Sequence, residues 1–124
     1  MKWEFIKTIE HGVLSNREHI KRMKVPGGWL VKYMDVSGSR TPVSHATVYV
    51  PDCGEVWDVT KEPIKLEQFV NRKTPNYSER TCRFKVPGGW IVLDGQYGIG
   101  QSHISLVFVP DPDHQWELKE EENE

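Results

Sequence analysis

Histidines are the side chains of this sequence best suited to metal binding or proton transfer, and their spacing argues against both. They number five: His11, His19, His45, His103 and His114. Zinc sites place histidines one helical turn apart or combine them with closely spaced cysteines, and neither spacing occurs here. We therefore predict no metal ligand and no cofactor.

A serine stands directly before a histidine at two places in the chain. Together with an aspartate upstream, each pair supplies the residue types of a hydrolase. The two sets are Asp35, Ser44 and His45, and Asp94, Ser102 and His103. No glycine-flanked nucleophile elbow surrounds these serines, and no glycine-rich phosphate loop opens a helix. We predict no catalytic residue and a protein that is not an enzyme, with a small hydrolase using His45 or His103 as an alternative.

A second chemical signal is a set of basic residues next to tryptophans. Its members are Arg22, Lys24, Trp29, Arg83, Lys85 and Trp90. Such a set can hold phosphates while a ring stacks on a base, which makes these six the predicted ligand-binding residues. The competing interpretation places both tryptophans in the core and the basic residues along a solvated strand edge.

These basic and aromatic residues belong to a tandem repeat. The segment RMKVPGGWLV from Arg22 recurs as RFKVPGGWIV from Arg83, with eight of ten residues identical. The units close on VYVPD with Trp57 and on VFVPD with Trp116, at the same spacing from proline to tryptophan. Residues 22–57 and 83–116 are therefore two copies of one unit.

The units position their side chains through extended segments. Residues 29–36 and 43–50 are rich in β-branched and aromatic residues, as are residues 90–94 and 104–109, so each unit is predicted to be a β-hairpin. The Pro-Gly-Gly steps allow a sharp bend, because proline fixes φ and glycine accepts positive φ. Aligned on the closing strands, His45 and His103 are offset by one residue, which predicts opposite faces.

Segments outside the units contribute further elements. Residues 1–9 alternate loosely and predict an edge strand, whereas Ser15 to Glu18 has the form of a capping box for a short helix. A longer helix is predicted over residues 62–72, where Leu66, Phe69 and Val70 share one helical face. The predicted fold is mainly β (α+β): two repeated hairpins in one twisted antiparallel sheet or small barrel, with this helix packed on it.

Size and charge bound the remaining possibilities. A chain of 124 residues, with units of about 35 residues that rarely bury enough surface alone, predicts a single domain over residues 1–116. Residues 117–124 hold five glutamates and one lysine and predict a flexible acidic tail. No apolar run is long enough to cross a membrane and residues 1–14 lack the pattern of a secretory signal, so a cytoplasmic protein with reduced cysteines is expected.

The repeated string VPGGW, followed by VPD and a tryptophan, resembles a group of small uncharacterised bacterial and phage proteins. Members of that group usually carry one copy, and the second unit is closer to their pattern because Cys53-Gly54 interrupts the first. The resemblance covers a little over half of the chain. It favours an accessory gene of a mobile element and implies no activity or site residue.

These observations favour a small non-enzymatic binding protein, phage or prophage encoded, whose partner is a host protein. Binding of a nucleotide or nucleic acid through the basic and aromatic set is the alternative within the same class. The body without its tail carries a formal charge of only +2, which is too little for long nucleic acid to be held by counterion release alone. Homo-oligomerisation is left open.

Overall fold

The computed structural model describes residues 1–12, 15–38, 42–54, 56–98 and 101–119, and these form eight antiparallel strands. The strands are β1 (Glu4–Glu10), β2 (Arg17–Val25), β3 (Gly28–Val36), β4 (Pro42–Pro51), β5 (Glu67–Thr74), β6 (Tyr77–Val86), β7 (Gly89–Gly98) and β8 (Gln101–Pro110). Sheet A has the order β1-β2-β3-β4 and sheet B the order β5-β6-β7-β8. Each sheet is a simple meander, and the two are open sheets.

The Pro-Gly-Gly motif makes the same tight turn in both sheets. Val25 pairs with Gly28 across a two-residue connection, and Gly27 has φ of +79°, the sign that the third position of a type II turn requires. A β-carbon on Gly28 would collide with the carbonyl oxygen of Val50 on the neighbouring strand. Gly88 and Gly89 repeat both features in the second unit. The motif is therefore dictated by backbone geometry.

The repeat is wider than the motif suggests, since each unit also has a matching first strand. In β1 the pairing register shifts between Phe5 and Lys7, and in β5 it shifts between Gln68 and Val70. Both shifts fall two residues after a glutamate that pairs with the arginine of its unit, Glu4 with Arg22 and Glu67 with Arg83. Each unit is thus a four-stranded meander with an irregularity at an equivalent position.

The two sheets share a core, but the two copies of the repeated unit turn opposite faces toward it. Sheet A contributes Ile20, Trp29, Val31, Tyr33 and Val50, whereas sheet B contributes Phe84, Val86, Ile91 and Leu93. Val31 corresponds in the repeat to Val92, whose side chain lies on the outer side of β7. Because successive strand residues point to opposite faces, the inner face of sheet A corresponds to the outer face of sheet B.

Several sequence predictions are confirmed. The hairpin strands over residues 29–36, 43–50, 90–94 and 104–109 all exist within β3, β4, β7 and β8. The edge strand predicted over residues 1–9 is β1. Trp29 and Trp90 are buried, with exposures of 8% and 6%, as the competing interpretation of the sequence expects. The single-domain prediction is not tested, although the core residues of both units form one cluster.

Three structural predictions are wrong. The helix over residues 62–72 is absent, because residues from Glu67 onward pair with β6 as strand β5. The capping box at Ser15 to Glu18 starts no helix, since Arg17–Val25 is strand β2. The single sheet or small barrel is replaced by two stacked open sheets. Both helical patterns were short, and strand pairing over eight or nine residues outweighed so weak a local preference.

The acidic tail falls partly outside the described residues, which end at Lys119. Residues 117–119 have no regular secondary structure. No helix of the described chain is long and apolar enough to span a membrane.

Candidate functional site

Two predicted ligand-binding residues of the first unit, Arg22 and Trp29, do not form an open platform. The guanidinium of Arg22 lies 4.2 Å from the ring centroid of Trp29 and 4.9 Å from that of Trp57. It also donates to the carbonyl oxygen of Trp57 at 2.7 Å and pairs with Glu4. Asp52 accepts one hydrogen bond from the Trp29 indole at 3.0 Å and another from the Trp57 backbone N–H at 3.2 Å. We call these five residues the tryptophan cluster of the first unit.

The second unit repeats this cluster contact for contact. Arg83 lies 3.8 Å and 4.7 Å from the ring centroids of Trp90 and Trp116 and donates to the Trp116 carbonyl at 2.5 Å. Its ion pair with Glu67 spans 3.4 Å. Asp111 accepts from the Trp90 indole and from the Trp116 backbone N–H, both at 2.9 Å. The repeated residues of the sequence motif are therefore tied to one another in both units.

The structure does not bring the six predicted ligand-binding residues to one site. The cluster of the first unit lies between the sheets, and that of the second unit lies on the outer face of sheet B. Lys24 and Lys85 are exposed, and the Lys85 ammonium lies 3.0 Å from Glu62. Arg22, Trp29, Arg83 and Trp90 are buried. Their role in binding stays a prediction, and their visible contacts are structural.

The serine and histidine pairs of the hydrolase alternative are separated by the sheets. The Ser44 and Ser102 hydroxyl oxygens lie 3.0 Å apart, in the space between the sheets. His45 and His103 are exposed and point outward from opposite sides of the stack. Their offset of one residue thus places them on opposite faces of the unit, as the strand period predicts. The geometry assembles no serine and histidine pair.

A polar cleft opens between the sheets at the end opposite the Pro-Gly-Gly turns. Its volume is about 630 Å³, and both sheets line it. The lining side chains are His11, Ser15, Asn16, Glu18, Tyr33, Asp35, Lys73, Ser78, Arg80 and Tyr97. None of them belongs to the predicted set. The cleft brings the buried carboxyl groups of Glu18 and Asp35 together with Lys73 and Arg80 of the other sheet, and we take it as the candidate functional site.

Glu18 is the centre of a hydrogen-bond network on the floor of the cleft. Its Oε1 accepts from the Tyr33 hydroxyl at 2.6 Å and from Arg80, which also donates to the Tyr33 hydroxyl oxygen at 3.0 Å. Its Oε2 lies 2.6 Å from Nε2 of His11. Arg80 comes from sheet B, so this network joins the two units across the cleft.

Two carboxyl groups of the cleft are shifted in opposite directions. Glu18 and Asp35 are direct cross-strand neighbours on the inner face of sheet A. Burial opposes the charge of Glu18, but hydrogen bonds from Tyr33 and the charge of Arg80 outweigh it, so the pKa of Glu18 is lowered. Burial, followed by the charge of Glu18, raises the pKa of Asp35. The surroundings therefore move the pKa values of the two carboxyl groups apart.

The remaining phenols and the guanidinium follow the same electrostatic logic. Burial and the hydrogen bond to Glu18 raise the pKa of Tyr33, and burial raises the pKa of Tyr97. Burial opposes the charge on Arg80, yet the neighbouring Tyr33 and Glu18 raise its pKa overall. Arg80 stays a cation, and both tyrosines stay neutral hydrogen-bonding groups.

The sequence held one signal that points to this cleft. Glu18 lies two residues before the apolar Ile20, a spacing that places both side chains on one face of a strand. Once Arg17–Val25 is known to be a strand, Glu18 shares a face with the buried Ile20. The capping-box interpretation hid this spacing, so the inward position of the carboxylate was not predicted.

The described residues offer little for a metal or for thiol chemistry. No group of three histidine, cysteine, aspartate or glutamate side chains within them is placed to hold a metal ion. Cys53 is exposed and Cys82 buried, and both are free. Burial raises the pKa of the Cys82 thiol, which disfavours its reactive thiolate form.

Comparison with protein-family models, with curated proteins and with solved structures finds no match to this chain. Function is therefore inferred from the cleft and from the surface of the molecule itself.

Proposed function

We propose that the protein is a non-enzymatic binding protein whose cleft between the sheets takes a small polar molecule carrying an anionic group and a hydrogen-bond donor. The observation that supports this most directly is the distribution of charge across the cleft. Sheet A lines it with the carboxyl groups of Glu18 and Asp35, and sheet B lines it with Lys73 and Arg80. A ligand with both kinds of group has a partner on each wall.

The state of each side chain indicates which of them would face the ligand. Glu18 already accepts from Tyr33 and Arg80 and contacts His11, so its oxygens are largely occupied. Among the described residues Asp35 has no comparable set of side-chain hydrogen bonds, and Lys73 lines the same cleft. Asp35 and Lys73 are therefore the proposed ligand contacts, with Glu18 holding Arg80 and Tyr33 in place.

The side chain of Arg80 indicates where the anionic group of the ligand would bind. Nε of Arg80 is buried and has no hydrogen-bond partner within the described chain. An unsatisfied buried donor costs about 1–3 kcal/mol. A ligand acceptor that reached this group after a small adjustment would recover part of that cost, which favours an anion on the side of sheet B.

Binding can be tested by NMR with free amino acids as probes, because each carries a carboxylate and an ammonium group. We expect them to shift the backbone amide signals of Glu18, Tyr33, Arg80 and Tyr97. N-acetylated and amidated derivatives lack one charge and should shift them less. Lys73→Met should weaken the effect, whereas Lys2→Met, which removes an exposed charge elsewhere, should not. Unchanged cleft signals with the whole probe set would contradict the proposal.

The opposite pKa shifts of Glu18 and Asp35 favour a second candidate function, acid–base catalysis on a bound molecule. Paired titratable groups with separated pKa values are the usual arrangement of an acid and a base. Against it, Glu18 is engaged by three side chains, which suits a positioning role. Turnover of chromogenic ester, glycoside or phosphate substrates that Asp35→Asn abolishes would favour this candidate; activity that survives the substitution would exclude Asp35 as the acid.

The host-protein partner favoured by the sequence stays a prediction. The nucleotide alternative also stays a prediction for the six residues to which it was assigned. The burial of the two arginines and two tryptophans among them argues for a structural role of those four.

A further inference from the structure

The outer face of sheet A combines exposed rings with basic side chains and is separate from the cleft. Three cross-strand rows form this face. The rows are Met23, Leu30 and Tyr49; Phe5, Lys21, Lys32 and Thr47; and Thr8, His19, Met34 and His45. Of its rings, Phe5 is 62% and Tyr49 44% exposed. Isolated exposed rings are ordinary on protein surfaces, so they indicate a binding site only together with the residues around them.

The centre of the face holds two lysines directly opposite each other. Lys21 pairs with Lys32 across β2 and β3, and like charges in this position destabilise a sheet. The equivalent pair in sheet B, Cys82 and Leu93, lies on the buried inner face, so burial accounts for its apolar side chains. A like-charge pair at the centre of an exposed face is the kind of locally unfavourable arrangement that occurs at functional positions.

Each lysine is held beside an aromatic ring. The Lys21 ammonium lies 4.5 Å from the Phe5 ring centroid, and that of Lys32 lies 4.4 Å from the Trp3 ring centroid. Phe5 also contacts the His19 ring edge to face, with centroids 5.2 Å apart. Burial lowers the pKa of His19, and the positive charges of Lys21 and Arg17 lower it further, which is consistent with a cationic surface.

We propose that the outer face of sheet A binds single-stranded nucleic acid. Lys21 and Lys32 would each contact a backbone phosphate, while Phe5 and Tyr49 would stack on bases. The assignment depends on both the lysines and the rings, because lysines alone would bind any polyanion and rings alone would bind any apolar partner. A duplex hides its base faces, so the rings favour a single strand.

The small number of cations sets the expected strength. With two phosphates neutralised, log K should fall with log salt concentration with a slope of about −1.4, as expected for single strands. Binding should therefore be weak and only moderately salt-dependent. The stacking of bases on Phe5 and Tyr49 then accounts for a large share of the affinity.

Fluorescence anisotropy with a short labelled oligothymidine tests the proposal on the full chain. Lys21→Glu with Lys32→Glu should reduce affinity more than tenfold, and Phe5→Ala should reduce it about tenfold. The matched control is Lys61→Glu with Lys65→Glu, which changes the net charge equally in the segment that connects β4 to β5. The affinity of this control should stay within about twofold of wild type.

A second variant protects the test against misfolding. Lys32→Leu introduces the residue that β7 has at the equivalent position, so the fold should survive while affinity falls. The proposal is overturned if oligothymidine does not bind, if both charge-reversal pairs weaken binding equally, or if Phe5→Ala has no effect. Equal affinity for duplex DNA or for heparin, which has no bases, would also overturn it.

Discussion

The two tryptophan clusters are made of the same residue types with the same contacts, yet they occupy different places in the molecule. In the first unit the cluster lies between the sheets, where Trp29 and Trp57 belong to the shared core. In the second unit Arg83, Trp90 and Trp116 lie on the outer face of sheet B, beside Phe69. The difference shows that the cluster stabilises its own meander and does not by itself determine which face is buried.

The way in which the two sheets stack explains this difference. The inner face of sheet A meets the face of sheet B that carries no cluster, so one cluster is enclosed and the other is left outside. The same arrangement leaves the outer face of sheet A equivalent to the inner face of sheet B. The outer face of sheet A carries Lys32, His45 and Thr47. The equivalent residues on the inner face of sheet B are Leu93, Ile104 and Leu106. Polar residues thus terminate the stack, as they do in the end repeats of solenoid proteins.

The largest expected effect comes from separating the units. A fragment of residues 1–61 retains the first cluster but loses the sheet that covers Ile20, Val31, Tyr33 and Val50. We expect it to lack cooperative unfolding, as measured by circular dichroism during a urea titration, because a single meander cannot bury enough apolar surface. A sharp two-state transition for this fragment would show that each unit is an independent domain.

Removing one tryptophan from each cluster should have unequal effects. Trp29→Ala creates a cavity between two sheets and should lower the free energy of unfolding by about 3–5 kcal/mol. Trp90→Ala should cost less, because the segment that covers Trp90 is on the surface and can collapse onto the gap. Denaturant titrations of both variants give the comparison. Equal losses would mean that both rings are enclosed to the same degree.

The aspartates of the clusters should follow the same order with smaller effects. Asp52→Ala leaves the Trp29 indole and the Trp57 backbone N–H without their acceptor and should cost about 1–3 kcal/mol. Asp111→Ala removes the equivalent bonds on the outer face, where water can replace them, and should cost less. Thermal unfolding of the two variants measures the difference, and a greater loss for Asp111→Ala is the result that this view forbids.

The cleft provides a pH-dependent contrast between Asp35 and Glu18, because the pKa values of these two carboxyl groups are shifted in opposite directions. The raised pKa of Asp35 means that its protonated form contributes stability below its ordinary pKa, and that this contribution is lost as pH rises through the folded value. Asp35→Asn should therefore gain stability over wild type as pH rises. Glu18 has a lowered pKa, so its contribution is present above its ordinary pKa and is lost as pH falls through the folded value.

The corresponding measurement is the free energy of unfolding across acid to neutral pH. Glu18→Gln should be most destabilising at neutral pH and least so in acid, opposite to the trend for Asp35→Asn. Parallel curves for the two variants would show that the carboxyl groups are not shifted apart.

The smallest effect on stability is expected where the outer face of sheet A is converted into the inner face of sheet B. Lys32→Leu, His45→Ile and Thr47→Leu together should change the free energy of unfolding by only about 0.5 kcal/mol per site. The variant should instead associate with increasing concentration, since its new apolar face matches one already packed in the molecule. Analytical ultracentrifugation measures this, and a variant that stays monomeric at all concentrations would remove the proposed role of the polar residues.

The sequence by itself determined the repeat, its turns and most of its strands, because these depend on short-range chemistry. Pro26 and Gly27 specify a turn whatever surrounds them, and the β-branched runs after Gly28 and before Pro51 specify strands. Local patterns failed where two structures were compatible with them. Leu66, Phe69 and Val70 suit one face of a helix, but pairing with β6 made residues from Glu67 onward a strand.

Only the tertiary structure decided which face of each unit is buried, and with it the candidate sites. Alternation along a strand defines two faces but does not say which of them will be covered. Stacking of the sheets placed Glu18, Asp35 and Arg80 in one cleft, although residues 18 and 80 are far apart in sequence. The same stacking enclosed Trp29 and left Lys21 and Lys32 facing outward, since contacts between distant segments are fixed by packing and cannot be read from local pattern.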